Sequence, residues 1–345
     1  MIDTPFARLI TQDAPGEFRA ALLDSDGRAS ALFAQRWGGA GDRARYGDII
    51  QARIRSFSEE VSGAFVELRN GEEALLRFTS KPALTEGAII SVEVRSEARI
   101  GKLARVALSD GPVETMSAFA RWQKAFPGGE ALAPEEDPNC VDAQFDDLLH
   151  ASSVLPGGGR LTVEQTRALF AFDIDTAGRV EKGSAGARAL KVNRSAVSEM
   201  ARQISVRGLG GLMVVDCVGP LNNAANDRIR QAARDALAAY GIKNAKVLKP
   251  SALGLLEASV PWRFMPMVEQ ISADPGEAEL LTLLRDLQRA ARATPSALYT
   301  LSLGGPIRSA YVSRKADVTA ALETHFSGRV QVSKSEDGKS EFRLR

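Results

Sequence analysis

The sequence predicts an α/β protein with a β-barrel set in near its N-terminus, and three features predict it. Five short strand-like runs crowd residues 41–110, apolar strands alternate with amphipathic helices from residue 159 onward, and glycine and proline clusters separate the two regions. At 345 residues the chain is long enough for two or three cores. Its 44% hydrophobic and 25% charged residues are those of an ordinary folded protein.

Residues 1–40 carry alternating apolar positions around a Ser25-Asp26-Gly27 turn, which predicts a hairpin packed on a larger body. Residues 41–110 follow with DIIQARIRSF, SGAFVELR, GEEALLRF, GAIISVEVRSE and LARVALSD, punctuated by Asn70-Gly71 and Glu86-Gly87. Five strands in so short a segment fit an OB-type barrel, whose open face binds single-stranded nucleic acid. Phe65 is placed either to stack on a base or to fill the barrel core. Arg77, Arg95, Arg99, Lys102 and Arg105 gather on the later strands and the loop between them, where they either track phosphates or are simply solvated.

Residues 111–158 hold two short helical patterns, MSAFARWQKAF and DAQFDDLLHASSV, between Pro/Gly breakers, and read as a bridge with little core of its own. From 159 to 265 the pattern is α/β. The run ALFAFDID is a strand whose period of two puts Asp173 and Asp175 on one face. A helix NRSAVSEMARQISV follows, with Asn193 expected as its N-cap and Gly208 past its end. GLGGLMVVDCVG delivers Asp216 at the end of a buried strand, the next helix carries Arg228, Arg230 and Arg234 and ends at Gly241, and NAKVLKP is the expected final strand. Residues 270–345 predict a small α+β unit: a helix, a strand, a second helix and a hairpin closed by Asp337-Gly338.

Three carboxylates at strand ends in one domain can hold Mg²⁺, which takes a few carboxylate oxygens and completes its shell with water and substrate phosphate. The alternative is that each is capped by a helix N-terminus or an arginine. His150 and His325 sit on amphipathic helical patterns, which argues against histidine catalysis. No GxSxG, P-loop or HExxH motif occurs, and Gly208–Gly211 precedes a strand instead of opening a helix, so it is no dinucleotide fingerprint. Cys140 and Cys217 form no CxxC pair, and no structural zinc is expected. The net charge of +1 excludes a globally basic coat but not local basic patches. With neither a signal-like N-terminus nor a long apolar run, the expectation is a cytoplasmic protein without membrane partners.

The stretches LTVEQTRALFAFDIDTAG, NRSAVSEMARQ, RGLGGLMVVDCVG, NDRIRQAARDAL and SALGLLEAS, in that order, closely resemble the catalytic core of the ribonuclease E/G family. The resemblance implies a DNase I-like catalytic domain after an inserted OB-fold domain, and an endoribonuclease that hydrolyses single-stranded RNA to 5′-phosphate and 3′-hydroxyl ends using Mg²⁺. It assigns Asp173 and Asp216 as the metal-binding aspartates and puts Asp175 where the family usually has an orienting asparagine. It also makes Phe65 a base-contacting aromatic and Lys102 a basic residue of the RNA-binding loop. Arg99, Arg105, Arg228 and Arg234 are further candidates for RNA contact.

Departures from the family shape the remaining expectations. Leu75 replaces a second barrel aromatic, the bridge is too short for the family's 5′-monophosphate sensor, and ASVPWRFMPMVEQ stands where a zinc-binding link belongs, so a monomer or weak homodimer is expected. The three carboxylates are expected to converge in a groove facing the barrel. A non-catalytic RNA-binding or ribosome-associated protein is the competing reading, and a nuclease or phosphatase acting on DNA or small phosphoesters is a third.

Overall fold

The structure, a computed structural model, describes residues 5–37, 43–78, 83–113, 116–177 and 182–345. The boundary expected between residues 40 and 41 lies outside them. Where a hairpin was expected, the chain opens on a three-stranded meander of β1 (Arg8–Ala14), β2 (Glu17–Leu23) and β3 (Ala29–Arg36). The Ser25-Asp26-Gly27 turn joins β2 to β3, held by Asp24 Oδ1, which accepts from the backbone of Asp26 and Arg28. A second turn at Gly16, whose φ is 79°, supplies the extra strand.

Next come β4 (Ile49–Ser58), β5 (Gly63–Leu68), β6 (Glu73–Arg77), β7 (Ile89–Ser96) and β8 (Ala104–Leu108), closed into an OB-like barrel in the order β4-β5-β6-β8-β7. Alternate positions, among them Ile54, Val66, Leu76, Val92 and Val106, fill its interior. The bridge has no core of its own. Trp122 and Phe126, in and just past α1 (Ala118–Lys124), join the largest core. β9 (Pro134–Glu136) extends the meander beside β1, and α2 (Pro138–Leu148) buries Val141, Phe145 and Leu148 against it.

The next elements are β10 (Ser152–Val154), β11 (Arg160–Gln165), β12 (Leu169–Asp175), α3 (Ala185–Arg207), β13 (Gly211–Asp216), α4 (Asn223–Ala239), β14 (Lys246–Val247) and β15 (Leu255–Val260). Their six-stranded sheet has the order β10-β11-β12-β13-β15-β14, with β12 and β13 parallel and the other neighbours antiparallel. The expected last strand NAKVLKP pairs over only two residues, on the sheet edge. Pro250, with no N–H to donate, follows soon after, and LLEASV forms the longer inner strand. The second half of helix α3 is buried on nearly every side because it lies between the meander and this sheet, so Val197, Met200 and Ile204 pack in one core with Phe33 and Phe172.

Helices α5 (Met267–Ser272) and α6 (Pro275–Ala293) lead into β16 (Tyr299–Leu303), α7 (Gly305–Ser313), α8 (Lys315–Phe326), β17 (Val330–Lys334) and β18 (Glu341–Leu344). The Asp337-Gly338 turn closes no hairpin. β16 lies between β17 and β18, parallel to the first and antiparallel to the second. Its Tyr299, Leu301 and Leu303 are buried while the other two strands are half exposed, so the most apolar strand takes the centre.

This unit is fastened to the meander by buried charge. Glu17 of β2 accepts from Arg285 of α6 at 2.6 Å and from Arg36 at 3.1 Å, and pairs with Arg19 at 2.6 Å. The Trp37 indole N–H donates to Glu277 at 2.6 Å. Among the described residues, no helix is long and apolar enough to cross a membrane.

Candidate active site

Strands β12 and β13 pair in register as Phe170 with Met213, Ala171 with Val214 and Phe172 with Val215. One step further along each strand stand Asp173 and Asp216. Because side chains alternate, both point away from the face on which Phe172 and Val215 meet the helices. The two aspartates are therefore neighbours on the open face of the sheet, at the C-terminal ends of adjacent strands, and both are exposed. Neither has a hydrogen-bond or ion-pair partner among the described residues. Asp175 follows on the same face, opposite Arg160 of β11. Gly159, at φ 82°, lets β11 start here, since a Cβ would come within 2.6 Å of the Asp175 carbonyl.

The chain leaving Asp216 is held on both sides. Cys217 N donates to Gly254 O at 3.1 Å, and the Asn193 side chain bonds both backbone groups of Val218. Asn193 is thus not the N-cap of α3. The cap is Ser184, whose hydroxyl accepts from Ala187 N, and Asn193 is fully buried in the first half of the helix, more than two turns in. The apolar period through Ala189 and Val192, upstream of Asn193, carries the signal that the helix starts earlier.

Asp175 does not join the other two. Its Oδ1 accepts from Ala177 N at 2.8 Å, folding back on its own loop. The expected three-way convergence is absent: among the described residues, no group of three or more acidic, histidine or cysteine side chains is arranged to hold a metal ion. The donor set at the strand ends is the Asp173–Asp216 pair. Two free carboxylates suit Mg²⁺, which keeps several waters and uses one or two carboxylates together with substrate phosphates.

On the barrel, Phe65 is not a core residue. It lies between buried Ala64 and Val66 and faces outward. Its cross-strand partner on β6 is Leu75, whose partner on β8 is Arg105, so an aromatic, an aliphatic and a basic side chain form one row. Lys102 is exposed on the β7–β8 loop, bridged to Arg99 through reciprocal backbone hydrogen bonds. The Arg99 guanidinium lies 4.1 Å over the Trp262 ring, just past β15, and burial there lowers its pKa. That junction sits at the N-terminal end of β12 and β13, roughly 17 Å of strand from the aspartates at ~3.3 Å per residue. Arg228 and Arg234 are exposed on α4, in the layer behind the sheet, and are not brought beside the carboxylates. Sequence reasoning missed Trp262, Gly254 and the true role of Asn193.

Residues 134–260 match the model of the Ribonuclease E/G family. Ribonuclease E of Escherichia coli is 28% identical over 204 residues, which cover 54% of this chain and 19% of the relative. Ribonuclease E of Haemophilus influenzae is 34% identical over 123 residues, covering 34% of this chain and 13% of that one. Ribonuclease G of Escherichia coli is 30% identical over 117 residues, covering 34% and 24%. The chain thus spans a quarter or less of the length of these relatives.

Proposed function

We propose that this chain is an endoribonuclease that cuts single-stranded RNA with Asp173 and Asp216 as its metal-binding carboxylates, a reading supported by the match of residues 134–260 to the Ribonuclease E/G family and by the similarity to ribonucleases E and G. The observation that carries this reading is the side-by-side exit of those two aspartates, without a partner among the described residues, from parallel strands. Mg²⁺ held there would lower the pKa of a bound water and offset charge on the phosphodiester. The products are 5′-phosphate and 3′-hydroxyl ends: water oxygen bonds to phosphorus, the bond from phosphorus to O3′ breaks, and the water's proton ends on O3′.

The Phe65–Leu75–Arg105 row, with Lys102 beyond it, offers a base one stacking surface and the backbone two cations. A monomer or weak homodimer is the reading that fits ASVPWRFMPMVEQ standing where a zinc-binding link would join two chains. The cytoplasm is the compartment in which such an RNA-processing activity would operate.

The test is cleavage of a labelled single-stranded RNA with Mg²⁺ or EDTA, wild type beside Asp216→Asn, with binding followed in parallel. Mg²⁺-dependent cutting lost in the variant while binding survives is expected. Tight binding without cutting by either protein would replace this reading with a non-catalytic RNA-binding or ribosome-associated role, a reading to which Asp175, turned onto Ala177, lends some support.

A further inference from the structure

Behind the sheet, between α3 and α4, runs a groove of about 680 Å³. Leu190, Ser195, Ala232 and Tyr240 line it together with Lys191 and Arg194 of α3, and Arg28 stands at the turn between β2 and β3. Arg188 lies one turn before Lys191, so exposed basic residues recur every three positions on α3, about 4.5 Å apart along the axis. On α4, Arg228 precedes Ala232 by four residues and extends the basic rim on that side.

The acidic groups of the groove are already engaged. Asp24 accepts from two backbone amides, Glu199 from Arg28, Arg202 and Gln203, and Asp235 from Gln231. By contrast, Arg194 has no partner among the described residues, and Arg188 donates only to the carbonyl of Gly183. Over the described lining, Arg28, Lys191, Arg194 and Arg202 outnumber Asp24, Glu199 and Asp235, and Arg188 and Arg228 at the rim add to that positive excess.

Its position gives that charge a use. Both helices begin where β12 and β13 end, and a Cβ on Gly186 would stand 4.0 Å from Pro220 O in the loop that leaves Asp216. The groove thus opens at the sheet end where the aspartates emerge. We propose that it carries the RNA strand onward from the aspartates, with phosphates tracking Arg188, Lys191 and Arg194. This rests on the ribonuclease reading and adds a second backbone-binding surface to it, at the opposite end of the strands from the barrel junction.

The experiment uses the full chain and an Arg188→Ala/Arg194→Ala variant, with two labelled RNAs: an oligonucleotide just long enough to span the aspartates, and a long unstructured strand. Binding is measured across salt concentrations in the Asp216→Asn background, and cleavage with Asp216 intact. Loss of two phosphate contacts should lower the salt slope for the long strand by about 1.4, with roughly tenfold weaker binding, and leave the short one unchanged. Equal effects on both RNAs, or none on either, would overturn the groove. Absence of cleavage by the unmodified chain would sink the ribonuclease reading instead, and the binding comparison would still decide the groove.

Discussion

The carboxamide of Asn193 closes a two-way pair with the backbone of Val218: Nδ2 donates to the carbonyl at 2.8 Å, and Val218 N donates to Oδ1 at 2.9 Å. A helix side chain here does what a neighbouring strand does elsewhere, two residues beyond Asp216. Replacing it with leucine orphans both groups. We expect Asn193→Leu to lose about 2–4 kcal/mol in urea unfolding, since each unpaired buried group costs about 1–3 kcal/mol. RNA cleavage should fall more steeply than RNA binding. A variant as stable and as active as wild type would show that the pair holds nothing in place.

Glu17 is buried, which raises its pKa, but Arg19, Arg285 and Arg36 outweigh burial and hold its carboxyl below the usual range. Glu199 shows the same balance, with burial opposed by Arg202, Gln203 and Arg28. A carboxyl with a depressed folded pKa stabilises above its unfolded value, about 4.3 for Glu, and loses that stabilisation as pH falls through the folded one. The urea midpoint should therefore hold steady from neutral pH down to about 5 and drop below about 4. Glu17→Gln, leaving three guanidiniums around a neutral amide, should cost about 3–5 kcal/mol at neutral pH and flatten the acid limb.

Phe65 and Leu75 face each other across β5 and β6 on the outer barrel surface. Phe65→Ala should weaken single-stranded RNA binding by about 1–3 kcal/mol, read by fluorescence anisotropy without Mg²⁺. Leu75→Phe should strengthen it, because a second ring is restored beside the first. Opposite signs would mean that bases do not use this row.

Gly210 passes so close to Trp262 that a Cβ would sit 2.6 Å from the indole. The indole in turn carries Arg99 of the barrel loop and meets Phe170 of β12 edge-on. Gly210→Ala should displace the ring and cost about 1–3 kcal/mol. It should also loosen the barrel from the sheet, visible as faster proteolysis between them. Unchanged proteolysis would mean that other contacts, such as those of Glu97 with Arg263 O and Met265 N, suffice.

The strands and helices around the candidate site were legible because their patterns are local. ALFAFDID alternates, GLGGLMVVD is an apolar run ending in Asp216, and α4 has Gly241 at its end. The barrel's five strands were legible for the same reason. What was not legible depends on partners distant in sequence. The Asn193 side chain resembles a cap until Val218, far along the chain, supplies its bonds. The turn at Asp337-Gly338 has the right residues for a hairpin, yet β16 competes for the central place with more buried surface. Asp175 alternates in step with Asp173, but the loop amide of Ala177 takes its oxygen.

Within the six-stranded sheet, β12 and β13 are the two neighbours that run in the same direction. At each other junction the end of one strand lies beside the start of the next. Two strands can run that way only if the chain returns over the face of the sheet between them, and here α3 makes the return. The long helix is therefore a requirement of the chemistry as much as of the core. If a tight turn replaced it, β13 would reverse, and Asp216 would leave the sheet at the opposite edge from Asp173.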